Sequence, residues 1–133
     1  MGYNFNWSAV SGGAPYVTLS SLGLAFNSVS IEKLGCPEKI IVGFDEEKCV
    51  IGIKAYNNET GIKAYDFANR KKNGWIRIGC RDFMKYLESL VDMSFSPAKK
   101  YVAQYNDSEK TLIVFPKKNK NNNTETEIDD LLQ

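Results

Sequence analysis

Trp75-Ile-Arg-Ile78, the run Arg81 to Val91, Lys100-Tyr-Val-Ala-Gln-Tyr105 and Thr111-Leu-Ile-Val-Phe115 read in that order as strand, helix and hairpin. Alternation sets Arg77 opposite Ile76 and Ile78. In the helix, Phe83, Leu87 and Leu90 fall at i, i+4 and i+7. Tyr86 and Val91 widen that stripe, and Arg81, Lys85, Glu88 and Ser89 take the other side. The polar segment Asn106-Asp-Ser-Glu-Lys110 turns the hairpin. The same order occurs upstream: strand Tyr16-Val-Thr-Leu19, a short helix within Phe26 to Leu34, then Lys39-Ile-Ile-Val-Gly-Phe44 answered by Cys49-Val-Ile-Gly-Ile53. Asn27 suits an N-cap, Gly35 a left-handed C-terminal residue, and Pro37 forbids continuation. Ile62-Lys-Ala-Tyr-Asp-Phe67 alternates and predicts a strand between the units. The expected fold is α+β, with a mostly antiparallel sheet built from two β-α-β-β pseudo-repeats, about 16–54 and 75–115, around one core.

The 133 residues suit one domain, predicted over 1–116. Apolar content of 43% and charged content of 25% are those of an ordinary soluble protein. A net charge of +1 gives no global attraction to polyanions, so any such function needs local asymmetry. No apolar run is long enough to span a bilayer and the start does not read as a secretory signal. Cys36, Cys49 and Cys80 are odd in number and widely spaced, which predicts reduced thiols and a cytoplasmic location. Histidine is absent, removing the commonest general base and zinc ligand. Carboxylates cluster in the two hairpin turns, where solvation explains them. No catalytic residue, metal site or cofactor is expected, and the chain reads as a non-enzyme.

The local asymmetry lies between residues 70 and 85. Arg70, Lys71, Lys72, Arg77, Arg81 and Lys85 are opposed there by Asp82 alone, with Trp75 among them. Cations with an interleaved aromatic suit backbone phosphates and a stacked base. The plainer alternative is a solvated basic turn beside an amphipathic helix. After Pro116 the composition changes. Residues 117–123 read as a flexible polar linker, and 124–133 as an acidic tip. There Thr124 and Glu127 fit a capping box and Ile128, Leu131 and Leu132 share a helical face beside Asp129 and Asp130. This tip, Ile128 to Leu132, is a candidate docking segment for a protein partner.

Val17-Thr-Leu19, Glu32-Lys-Leu-Gly35 and Lys39 through Ile53 together resemble the swapped-hairpin AbrB/MazE-type DNA-binding domains, and 75–114 resembles them more loosely. The resemblance implies that two units interlock into one barrel-like body, here within a single chain, and that the protein binds DNA. Arg77 and Arg81 would stand in for the family's basic residues, while Ser30 stands at a position where the family carries an apolar one. The stretch from Ile40 through Leu90 is also similar to the transcriptional-coactivator/Whirly type, which implies single-stranded DNA binding.

The expected function is therefore a DNA-binding or regulatory protein, for single or double strands, that uses Arg70, Lys71, Lys72, Trp75, Arg77, Arg81 and Lys85. The alternative is a protein-interaction module, an accessory protein or inhibitor of a cellular machine, that binds no nucleic acid. No membrane partner is expected, and self-association is left open.

Overall fold

The computed structural model describes residues 13–116. The acidic tip, with Ile128, Asp129, Asp130, Leu131 and Leu132, lies outside the described residues. The chain runs β1 (Tyr16–Leu19), β2 (Gly23–Phe26), α1 (Ser28–Leu34), β3 (Lys39–Asp45), β4 (Val50–Ala55) and β5 (Tyr65–Asp66). A short 3-10 turn, Ala68–Arg70, then leads to β6 (Ile76–Gly79), α2 (Arg81–Val91), β7 (Lys99–Val102), β8 (Gln104–Asn106) and β9 (Thr111–Val114). The strands form two antiparallel sheets. The first has the order β6-β2-β1-β7, and the second β5-β3-β4-β9-β8. The α+β class and the antiparallel pairing agree with the sequence.

Both sheets and both helices contribute to one core. Val17, Leu19, Leu24, Phe26, Ile76, Ile78 and Tyr101 come from the first sheet, Ile40, Ile51, Ile53, Leu112 and Val114 from the second. Ile31 and Leu34 of α1 and Met84, Leu87 and Val91 of α2 complete it. Alternation in β1 and β6 is strict, with Val17, Leu19, Ile76 and Ile78 inward and Tyr16, Thr18, Arg77 and Gly79 outward.

Asn27 caps α1 as expected, its Oδ1 accepting from the Ser30 backbone N–H at 2.9 Å, and Gly35 closes the helix in the left-handed region at φ 80°. The same Oδ1 accepts from the Tyr16 N–H at 3.0 Å. Ser30 is fully buried, and its hydroxyl donates to the Tyr16 carbonyl at 2.8 Å. A polar side chain fits in the core there because its one donor is used.

The sequence-based boundaries need several corrections. A strand not foreseen, β2, stands between β1 and α1. It reads Gly-Leu-Ala-Phe, without a β-branched residue, and follows a turn lacking an Asn-Gly signal. Lys100–Tyr105 is not one strand: β7 belongs to the first sheet and β8 to the second. The chain changes sheets at Ala103, a buried small side chain whose N–H donates to the Pro15 carbonyl at 2.9 Å. Residues 62–67 contribute only the two-residue β5, and Ile62 is 47% exposed. On α2 the buried stripe is Met84, Leu87 and Val91, while Tyr86 and Leu90 are exposed. Tyr86 instead packs edge-on to Phe44, with centroids 6.4 Å apart, and donates its hydroxyl to Glu46 at 2.9 Å.

Tyr101 is 2% exposed, and its hydroxyl finds no hydrogen-bond partner among the described residues. Burial pushes its pKa from the ordinary 10.0 up to about 12. The raised value means the fold holds the protonated phenol more tightly than the open chain does. That stability is complete below pH 10 and is lost as pH rises toward 12. Replacing Tyr101 with Phe removes a buried unpaired hydroxyl while keeping the ring. Thermal melts across this pH range should show Tyr101→Phe equal to the parent or up to about 1–3 kcal/mol more stable, and less sensitive to alkali. A clear loss of stability at neutral pH would mean that the hydroxyl is bonded.

Candidate nucleic-acid interface

Outward side chains of the first sheet form an unbroken row across all four strands. Arg77 on β6 is in register with Ala25 on β2, Ala25 with Thr18 on β1, and Thr18 with Lys100 on β7. With neighbouring strands about 4.8 Å apart, the row spans about 14 Å. Its centre is low, because Ala25 and Thr18 are short. Its two ends are cationic, and both cations lie against aromatic rings. The Arg77 guanidinium lies 5.9 Å from the Trp75 ring centroid. Lys100 Nζ lies 4.6 Å from that of Tyr16, also outward on β1. Both distances suit cation–π attraction.

Over the β2–β6 side of this face lies a groove of about 530 Å³, lined among others by Thr18, Ala25, Arg70, Trp75, Arg77 and Gly79. Among the described residues no carboxylate lines it. Trp75 does not begin β6, as the sequence suggested, but closes a turn. Its N–H and C=O both bond Lys72, at 3.0 and 2.8 Å, and the partly buried indole stands at the groove wall. Arg70 reaches the same groove from the 3-10 turn. One carboxylate is near it: Asp66 is held below its ordinary pKa chiefly by its 2.9 Å bond to Lys39, and Arg70 adds to that effect.

Two glycines on this face differ in what the fold asks of them. A Cβ at Gly23 would sit 1.9 Å from the Ile78 carbonyl oxygen, so β2 and β6 pair there only because position 23 has no side chain. A Cβ at its register partner Gly79 would meet nothing within 4 Å among the described residues. Among the described residues no packing contact demands a glycine at 79, and its lack of a side chain leaves bare backbone in the groove lining.

Of the seven residues proposed from sequence, the groove gathers Arg70, Trp75 and Arg77. Lys71 and Lys72 are exposed in the adjoining turn, and Arg81 and Lys85 are exposed on α2, without lining the groove. Tyr16 and Lys100 were missed. They lie 84 residues apart in sequence, and only the pairing of β1 with β7 brings them together.

Other chemistry is sparse among the described residues. No group of three or more metal-ligating side chains occurs, and Cys36, Cys49 and Cys80 are free thiols. Burial pushes the Cys80 thiol up to about 11. No described helix is long and apolar enough to cross a membrane. Comparison with protein-family models, with curated proteins and with solved structures finds no match.

Proposed function

We propose that this chain is a non-enzymatic nucleic-acid-binding or regulatory protein whose contact surface is the outer face of the β6-β2-β1-β7 sheet. One observation carries the reading: a groove walled by Arg70, Trp75 and Arg77, with no carboxylate in its lining among the described residues. Cations there neutralise phosphates and release counterions, so binding should weaken steeply as salt rises. Lys71 and Lys72 extend the positive field from the neighbouring turn, and Arg81 and Lys85 extend it from α2. The swapped-hairpin resemblance belongs to the same reading. It is supported by β2 pairing with β6 and β4 with β9, which brings the strand before each helix, and the last strand of each hairpin, against its counterpart.

Electrophoretic mobility shift at low salt tests the proposal. Replacing Arg70 and Arg77 together with Ala should weaken binding to every sequence and lower the salt slope by about two, one for each phosphate contact. Arg81→Ala with Lys85→Ala should have the smaller effect. Absence of binding in the parent protein at low salt, or binding indifferent to Arg70 and Arg77, ends the reading.

A second reading, a protein-interaction module, is favoured by the opposite sheet. Its outer face bears an apolar depression of about 230 Å³ lined by Ile41, Gly43, Gly52 and the half-exposed Ile62. On that reading the acidic tip would recruit the partner. Pull-downs with and without residues 117–133 separate the two: loss of a protein partner on truncation favours the module, and unchanged nucleic-acid binding favours the groove.

A further inference from the structure

We infer that the polynucleotide is single-stranded, and that it crosses the first sheet from the Trp75–Arg77 pair beside β6 to the Tyr16–Lys100 pair on β1 and β7 instead of resting on the groove alone. The inference deepens the nucleic-acid reading and depends on it. A cation backed by an aromatic ring stands at each end of the outward row, Arg77 against Trp75 of the preceding turn and Lys100 against Tyr16 of the neighbouring strand β1. Ring faces attract bases that are out of a duplex, since paired bases are already stacked on one another. The cations beside the rings supply phosphate contacts at the same two places.

The ground between the ends suits a strand better than a duplex. The major groove admits a helix or a β-ribbon that projects about 8 Å. Here the middle of the row is Ala25 and Thr18, whose side chains are too short to enter it. A span of about 14 Å matches about four stacked nucleotides at 3.4 Å each. Gly79 adds a separate indication. Among the described residues nothing within 4 Å would hinder a side chain there, and the bare backbone permits close approach of a sugar or base.

Tyr16 becomes a base-stacking residue and Lys100 a phosphate contact, neither of which the basic run 70–85 could reveal. Removing the Tyr16 ring leaves local backbone bonds intact, because the bonds to Asn27 and Ser30 use the Tyr16 N–H and C=O.

The test is fluorescence anisotropy with the full chain and three labelled probes: oligo-thymidylate, oligo-uridylate, and a mixed-sequence DNA duplex of equal length. Single strands should bind at least about tenfold more tightly than the duplex. The two single-stranded probes show whether DNA or RNA is preferred, and either result fits. Tyr16→Leu and Trp75→Leu should each weaken single-strand binding about tenfold, while Tyr16→Phe should retain it. Lys100→Ala should lower the single-strand salt slope by about 0.7. Circular dichroism confirms folding, and the Phe variant keeps the comparison decisive if the Leu variant unfolds: weakened binding by a folded Tyr16→Phe to the level of Trp75→Leu overturns the stacking role. Tight duplex binding that depends on Arg77 but ignores Tyr16 overturns the single-strand inference and leaves the proposed function standing. Binding to no probe at low salt overturns both.

Discussion

Gly23→Ala should destabilise the fold by at least about 3 kcal/mol, seen as a fall of order 15 °C in Tm. The added Cβ would sit 1.9 Å from the Ile78 carbonyl oxygen and 2.9 Å from its carbon, and both are backbone atoms that no rotamer change can move. Relief requires β2 and β6 to part, which breaks the register Gly23↔Gly79 through Phe26↔Ile76 and opens the core over Phe26 and Ile76. Gly79→Ala is the matched control. Its Cβ meets nothing within 4 Å among the described residues, so stability should change by no more than about 0.5 kcal/mol, while binding of a polynucleotide at the groove should weaken. Equal melting temperatures for the two variants would mean that β2 and β6 are not in close register.

Phe67→Ala should cost about 3–5 kcal/mol by denaturant unfolding, with little change in m. Phe67 is fully buried although it belongs to neither sheet, standing between β5 and the 3-10 turn. Its ring meets Phe26 edge-to-face with centroids 5.2 Å apart, and its N–H donates to the Glu38 carbonyl at 2.8 Å. Truncation leaves a cavity beside Phe26, against β2, and loses an aromatic pair worth about 0.5–1.5 kcal/mol beyond area burial. A double-mutant cycle with Phe26→Leu should return a coupling of that size. The 3-10 turn carrying Arg70 is anchored through the adjacent Phe67, so the variant should also weaken polynucleotide binding in any fraction that folds. A cost below about 1 kcal/mol would show that this segment is not fixed to the core.

What the sequence revealed follows from the range of the interactions involved. The Asn27 and Gly35 caps of α1 and the β3–β4 hairpin are decided by neighbours in sequence, and they stand where the residues put them. Strand β2 escaped because Gly23 and Ala25 carry little strand propensity. Its place is decided by the close approach to β6, more than fifty residues away. The exchange of sheets at Ala103 escaped for the same kind of reason: Tyr101 and Tyr105 sit two alternations apart in one apparent strand, yet their partners lie in different sheets. On α2, Met84 faces the core where the sequence pattern points to Phe83, because a helix with apolar residues on two adjacent faces has no unique inward side until its neighbours are placed.

The candidate site divides along the same line. Arg70, Trp75 and Arg77 were legible because a turn and the strand after it keep them near one another. Arg81 and Lys85 are close to them in sequence, but they stand on the helix that follows β6 and do not line the groove. Tyr16 and Lys100 complete the row only through long-range antiparallel pairing, which no local pattern announces.

Amide chemical-shift mapping of the isotope-labelled full chain with a short single-stranded oligonucleotide addresses the central claim most directly. The expected result is a set of perturbed amides at Thr18, Ala25, Trp75, Arg77, Gly79 and Lys100, one patch on the outer face of the first sheet, that fades as salt is raised. Perturbations confined to Ile41, Gly43 and Gly52 on the other sheet, or none at saturating oligonucleotide, would contradict it.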